Sequence, residues 1–255
     1  MIKRSVNKEP SKFKTRIVAI HGFLGQPQDW HGLKAAIQQQ SSEVDFQMVD
    51  LFSTLPNVKE KSVQEWAKRF NRNQKNRHLE RNILMGYSLG GRLALQAAYD
   101  KPGLWDEVVL LSAHPGLRNV EEKVQRKKID GEWADKFLNL PWQEVLTLWN
   151  NQPVFLGSEE PPREEATVNR EGLADALVHW SLAEQEFAPD QLLPLKPKLH
   201  WFAGESDPKY LSLFQDLKVE GFIEDLNVVK NAGHRLIFDN PTELAAQLVQ
   251  RLKLV

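Results

Sequence analysis

The chain of 255 residues contains no cysteine. That excludes disulfides and thiolate metal sites and suits a reducing compartment. No apolar run is long enough to span a membrane. The opening Met1-Ile2-Lys3-Arg4-Ser5-Val6-Asn7-Lys8-Glu9 is basic but lacks the apolar core of a secretory signal, so the expected location is cytoplasmic. Net charge is also missing: 33 Lys and Arg stand against 34 Asp and Glu, for a formal charge of -1. No global field draws nucleic acid or an anionic membrane, and any anion site must be local. The seven histidines are scattered, with no H-E-x-x-H or H-x-H spacing, so no metal is expected. No glycine-rich phosphate loop ending in Lys-Ser/Thr exists, and no cofactor is expected. The sequence does not speak to oligomeric state.

What is present centres on one stretch, Arg81-Asn82-Ile83-Leu84-Met85-Gly86-Tyr87-Ser88-Leu89-Gly90-Gly91-Arg92-Leu93-Ala94-Leu95. An apolar run with the length of a buried strand leads into G-x-S-x-G, and helix formers follow. This is the strand–turn–helix context in which such an elbow presents a nucleophilic serine. The glycines suit a turn too tight for a Cβ.

Around the elbow the chain alternates. Strands are expected at Ile17–His21, Phe46–Asp50, Asp106–Ser112, Lys198–Gly204 and Leu226–Val229, each short and apolar or β-branched. Between them lie helical patterns at Trp30–Gln40 and from Ser62, whose Glu65 completes a capping box, to about Arg77. Others run from Lys209 to about Leu217 and from Pro241 to about Leu252. Residues 1 to about 15 read as a polar lead-in or one edge strand. Strand–helix alternation implies an α/β fold with a mostly parallel sheet flanked by helices. The rhythm stops between about Leu117 and Pro189, where charged, tryptophan-bearing helical stretches are broken by Pro141, Pro153 and Pro161-Pro162. The expected organisation is one domain whose core is 1–116 and 190–255, carrying a helical lid at 117–189 over the carboxyl edge of the strands. A decoration away from the site is the alternative. Several of the eight tryptophans fall in this segment, which fits either an aromatic-lined cavity or packing.

A serine hydroxyl needs an imidazole to take its proton, and the imidazole needs an anion to orient it. Gly204-Glu205-Ser206-Asp207-Pro208 follows one late strand and Gly233-His234 follows the last. Both loops fall on the sheet edge that carries Ser88, in the chain order Ser, Asp, His. Ser88, Asp207 and His234 are therefore the candidate catalytic residues, with Glu205 the rival to Asp207. The N–H groups of Leu89, after the serine, and of Phe23, in His21-Gly22-Phe23-Leu24-Gly25, are the candidate oxyanion donors. His21 reads as a structural hydrogen-bonding residue beneath that loop.

These features resemble the α/β-hydrolase superfamily along nearly the whole chain. A narrower likeness rests on the elbow, on His114-Pro115-Gly116-Leu117-Arg118-Asn119 with Arg126 and Trp133, on Trp149-Asn150-Asn151-Gln152-Pro153-Val154-Phe155, and on Asp207-Pro208-Lys209-Tyr210. Together they are similar to the 2-succinyl-6-hydroxy-2,4-cyclohexadiene-1-carboxylate (SHCHC) synthase family of menaquinone biosynthesis. The resemblance implies an α/β-hydrolase fold with the lid inserted after its sixth strand. It also implies a lyase that eliminates pyruvate from 2-succinyl-5-enolpyruvyl-6-hydroxy-3-cyclohexene-1-carboxylate, a small polyanionic carboxylate, with the serine–histidine pair abstracting a proton. Tyr87, Arg92, Arg126, Trp149 and Arg170 match the family's substrate-binding positions. Taken alone, Arg126 within Gln125-Arg126-Lys127-Lys128 reads equally as a solvated helix face. The chain departs from the family in two places. Asp50-Leu51-Phe52-Ser53-Thr54-Leu55-Pro56 stands where Asp-Leu-Pro-Gly-His-Gly is usual, and Arg235 follows the histidine where asparagine is usual. An ester or thioester hydrolase with the same triad is the alternative, and a non-catalytic binding protein on this fold a third.

Overall fold

The computed structural model describes residues 14–52, 60–74 and 81–254. In chain order the elements are β1 (Thr15–Ile20), α1 (His31–Gln40), β2 (Val44–Val49), α2 (Val63–Asn73), β3 (Arg81–Tyr87), α3 (Leu89–Asp100) and β4 (Glu107–Leu111). After them come α4 (Val120–Asn139), α5 (Trp142–Asn150), α6 (Arg170–His179), β5 (Lys198–Gly204), α7 (Pro208–Val219), β6 (Leu226–Val229), α8 (Leu236–Asp239) and α9 (Pro241–Leu252). The six strands form one sheet in the order β2-β1-β3-β4-β5-β6, every neighbouring pair parallel. The expected edge strand before residue 15 falls outside the described residues, as do 53–59 of the departing loop after Asp50.

Helices on both faces explain why the inner strands β1, β3 and β4 carry continuous apolar runs rather than alternating. Ile17, Ala19, Ile83, Met85, Val109 and Leu111 face α1 and α9, packing on Trp30, Leu33, Ile37, Leu244 and Leu248. Val18, Ile20, Leu84, Val108 and Leu110 face the opposite layer, where Trp66, Phe70, Leu93 and Phe214 cover them. The second core runs on into the helical insertion through Phe137, Trp142, Val145 and Leu173, all buried.

Helix ends follow the local chemistry. Ser62 Oγ accepts from the N–H of Glu65 at 3.1 Å and opens α2; the Glu65 carboxylate turns back to the N–H of Lys61, one residue ahead of the usual capping-box partner. Asn119 accepts from Glu121 and Glu122 to start α4, and Pro141 separates α4 from α5. The insertion leaves the sheet after β4, the fourth strand of the described residues, which begin at Lys14. Among the described residues no helix is long and apolar enough to cross a membrane.

Packing at the elbow leaves no room for side chains on its glycines. A Cβ on Gly90 would lie 2.1 Å from the carbonyl oxygen of Ile20, and one on Gly86 would lie 2.3 Å from that of Gly90. One on Gly91 would meet the Ala113 methyl at 2.3 Å. Gly90→Ala is expected to lower stability by at least about 2 kcal/mol, because overpacking against backbone has nowhere to relax. Chemical denaturation measures this, and an unchanged midpoint would contradict the close approach.

Candidate active site

Ser88 takes φ 52° and ψ -112°, a backbone shape costly for a residue with a Cβ. Its surroundings hold it there. The Ser88 N–H donates to Leu111 at 2.9 Å, and its carbonyl receives the N–H groups of Gly91 and Arg92. The hydroxyl is left standing above the carboxyl edge of the sheet. His234, in the turn after β6, brings Nε2 to 3.2 Å from Ser88 Oγ, while its Nδ1 lies 2.9 Å from Asp207 Oδ2. Asp207 opens α7, and its second oxygen accepts from the N–H of Tyr210. Both Asp207 and His234 are buried. With the carboxylate on Nδ1, the imidazole carries its proton there and presents a lone pair at Nε2 to the serine. Glu205 points elsewhere, accepting from Asn231 N–H.

Leu89 is the first residue of α3, so its N–H has no intrahelical acceptor and sits at the positive end of the helix. Leu89 and Phe23 both line the cavity that holds the Ser88 side chain. His21 secures the Phe23 loop from below. Its Nδ1 donates to the Gly22 carbonyl at 2.9 Å and its Nε2 accepts from Leu51 N–H at 3.1 Å, an arrangement that needs the neutral ring. Complete burial pushes its pKa down to about 4.

Two cavities meet at Ser88, with Phe23, Trp149 and Phe155 on the boundary between them. The larger, about 320 Å³, lies under the insertion and is lined by Arg92, Arg126, Asp130, Lys209, His114 and the aromatic rings of Trp133 and Trp180. Arg92 is buried, and its guanidinium donates only to neutral oxygens, the Trp180 carbonyl at 2.8 Å and Gln185 Oε1 at 3.4 Å. Burial first, and then the nearby Arg126, lower its pKa to about 10. Arg126 presents Nε to both oxygens of Asp130, at 2.9 and 2.8 Å. Asp130 is the one carboxylate against three cations among the lining residues, so this cavity is net positive. His114 accepts at Nδ1 from Gly116 N–H, and burial next to Lys209 holds it neutral, with a pKa down to about 3. Among the described residues no three His, Asp or Glu side chains are placed to share a metal ion.

Residues 17–247 match the family model described as "Alpha/beta hydrolase family". The chain belongs to the alpha/beta hydrolase family. It is an enzyme of this superfamily. Over 177 residues, 67% of this chain and 68% of the relative, it is 37% identical to a 2-succinyl-6-hydroxy-2,4-cyclohexadiene-1-carboxylate synthase of Salmonella paratyphi B, and 36% identical to the like-named protein of Salmonella newport. Among solved structures, MenH from S. aureus superposes with a TM-score of 0.84 at 19% identity, covering 97% of this chain and 95% of that one. A carboxylesterase study structure from Nitrososphaera gargenis gives 0.72 at 14% identity, covering 96% and 92%. At these identities the structures speak for the fold alone.

Within this family fold the residues singled out from the sequence divide into groups. Ser88, Asp207, His234, Phe23 and Leu89 come together, and Arg92, Arg126 and Trp149 line the larger cavity. Tyr87 lines only the smaller cavity, its ring 5.6 Å from that of His234. Arg170 stands apart. Its guanidinium donates to the carbonyls of Phe137 and Leu140 and to Glu165, closing the carboxyl end of α4. With those donors occupied, no substrate role is proposed for it. Arg163 is a site residue the sequence did not reveal: it bridges the insertion to Asp29 at 2.6 Å, across a separation of 134 residues that no local pattern encodes. Lys209 and His114 were visible only as members of longer motifs.

Asp207→Asn should keep the fold, because the amide oxygen can still accept from Tyr210. It is expected to slow fluorophosphonate labelling of Ser88 by about 10³–10⁴-fold through loss of the correct tautomer; labelling at the native rate would remove Asp207 from the relay. His21 carries a second prediction. Its folded pKa of about 4 lies below the ordinary 6.5, so the unfolded chain binds the extra proton between those values. The His21 contribution is complete above pH 6.5 and is lost as pH falls toward 4, at about 1 kcal/mol per pH unit. Denaturation of wild type and His21→Asn at pH 7 and pH 5 reads it out: the variant should show the weaker pH dependence.

Proposed function

We propose that the chain is an SHCHC synthase-like carbon–oxygen lyase of menaquinone biosynthesis, releasing pyruvate from 2-succinyl-5-enolpyruvyl-6-hydroxy-3-cyclohexene-1-carboxylate. The observation that carries this reading is Arg92, a buried guanidinium with no carboxylate partner, in the same cavity as Ser88 and His234. Burying an unpaired cation is costly, and a substrate bearing several carboxylates offsets that cost. The curated relatives named as SHCHC synthases point the same way.

The chemistry follows from substrate and product. The ring double bond at position 3 becomes a 2,4-diene and the 5-enolpyruvyl group departs, so a proton leaves C2, next to the succinyl ketone, and the C5–O bond breaks. His234 Nε2 takes the Ser88 proton and the serine oxygen takes the C2 proton. The electron pair passes through a dienolate to the leaving oxygen, and the enolpyruvate released takes up a proton to become pyruvate. The N–H groups of Phe23 and Leu89 are assigned to the enolate oxygen. Asp207 holds the imidazolium partner in place, and no acyl-enzyme forms. Arg92, Arg126 and Lys209 receive the carboxylates that remain on the ring product, with Trp149 packing against it.

Carboxylic-ester hydrolysis is the second reading, favoured by the similarity of the fold to carboxylesterase structures. An apolar ester, however, has no use for the arginines of the larger cavity. A coupled assay for pyruvate release decides between them. Prompt release that disappears in Ser88→Ala is expected, and Arg126→Gln should raise KM by about 10–100-fold, the loss of a charge-assisted hydrogen bond, with kcat less affected. No release, together with turnover of a short p-nitrophenyl ester, would establish the hydrolase instead.

A further inference from the structure

The smaller cavity beside Ser88, about 50 Å³, is lined by Gly22, Tyr87, Asp29, Arg163 and Arg235 among others. At about 10–15 Å³ for each water-sized group, it admits three or four of them, the size of a carboxylate with the carbon that bears it. Its charges do not cancel. Arg163 and Asp29 neutralise one another at 2.6 Å. Arg235 is only 5% exposed, yet the groups that hold its guanidinium are neutral: the Glu159 carbonyl at 2.9 Å, the side-chain oxygen of Asn150, and the face of Phe155 at 4.1 Å. Asp239, the carboxylate of the adjoining turn, is taken up by Ser158 and by the N–H groups of Glu159 and Gly233. Glu160 accepts from Asn150. Among the charged residues lining this chamber, Arg235 is therefore the guanidinium left without a direct ion-pair partner, the carboxylates of Glu160 and Asp239 offsetting its charge only from outside the lining, and the space is too small for the ring of the substrate.

We propose that this chamber is a carboxylate subsite: Arg235, assisted by the Tyr87 hydroxyl, receives the carboxylate of the small three-carbon leaving acid while the ring occupies the larger cavity. The inference rests on the elimination reading for the identity of that acid. A guanidinium provides what an asparagine at this position cannot, a full charge and a planar fork matched to a carboxylate. It also lies at the end of the substrate where negative charge grows as the C5–O bond breaks, so the same contact binds the leaving group and favours its departure. The division of labour between two cavities places the scissile bond over Ser88, at their junction.

The test uses pyruvate itself as the probe and does not require turnover. Fluorophosphonate labelling of Ser88 is followed at increasing pyruvate, with uncharged pyruvamide as control, in wild type, Arg235→Gln, Tyr87→Phe and Arg92→Gln. Pyruvate should protect the serine and pyruvamide should not. Arg235→Gln should raise the half-protecting concentration by about tenfold or more, Tyr87→Phe by less, and Arg92→Gln should leave it nearly unchanged. Because Arg235 also ties Asn150 and Glu159 to the core, Tyr87→Phe, which leaves those ties intact, and Arg235→Lys, which keeps the charge and should recover part of the protection, separate binding from a merely structural role. Absence of protection in wild type, or an Arg235→Gln response equal to wild type, overturns the subsite. So does loss of protection in Arg92→Gln rather than Arg235→Gln. If pyruvate protects through Arg235 but is not released from the cyclohexene substrate, the elimination reading fails and the small-carboxylate subsite stands.

Discussion

Three glycines let α3 begin against the ends of β1 and β4, and the rest of the site depends on that contact. Gly86, Gly90 and Gly91 meet Ile20, Ala113 and one another at distances where a Cβ would overlap existing atoms. The chain therefore reverses within a few residues, and the residue at its apex, Ser88, is left in a strained conformation secured by Leu111. A looser turn would lower the hydroxyl into the sheet and carry the first N–H of α3 away from it. The same closeness brings the loop after β1, with Phe23, alongside the serine.

The histidine and aspartate arrive by a different route. Parallel strands end on a common edge, so the loops after β3, β5 and β6 are neighbours although their residues are far apart in sequence. Asp207 is fixed as the N-cap of α7. His234 sits in a turn tied by Gly233 and Asp239 to Ser158 of the insertion. The imidazole is thus positioned from both the core and the cover. That arrangement makes the insertion part of the site rather than an addition to it, since it supplies Arg126, Trp133, Trp149 and Trp180 to the larger cavity.

Electrostatics sets the character of both cavities. Arg92 and Arg235 are buried and held by neutral oxygens, one on each side of the serine. Hydrogen bonds donated to carbonyls orient such groups without cancelling their charge. They stay available to an anion that enters, and the low-dielectric surroundings strengthen the attraction when it does. Under the proposed elimination, a multiply charged carboxylate substrate would use both of these cations.

Much of this was legible in the residues themselves. The apolar runs at 17–20, 83–85 and 108–111 read as strands covered on both faces, and G-x-S-x-G between such a run and a helix read as a tight elbow. Ser62, Pro241 and the loop Gly204–Asp207 marked element ends through capping chemistry that operates over three or four residues. These features depend on sterics and hydrogen bonds among near neighbours, so the sequence by itself determined them, together with the order in which Ser88, Asp207 and His234 reach the sheet edge. The tertiary structure alone decided which cations face the serine. Arg126 and Arg170 both matched substrate-binding positions by resemblance, yet one lines the cavity and the other closes a helix end. Arg235 and Arg163 gained their places only through Asn150, Glu159 and Asp29, partners 76 to 134 residues away. A long flexible side chain is directed by whichever acceptors the folded chain brings within reach, and that proximity is a property of the packed fold rather than of any local stretch.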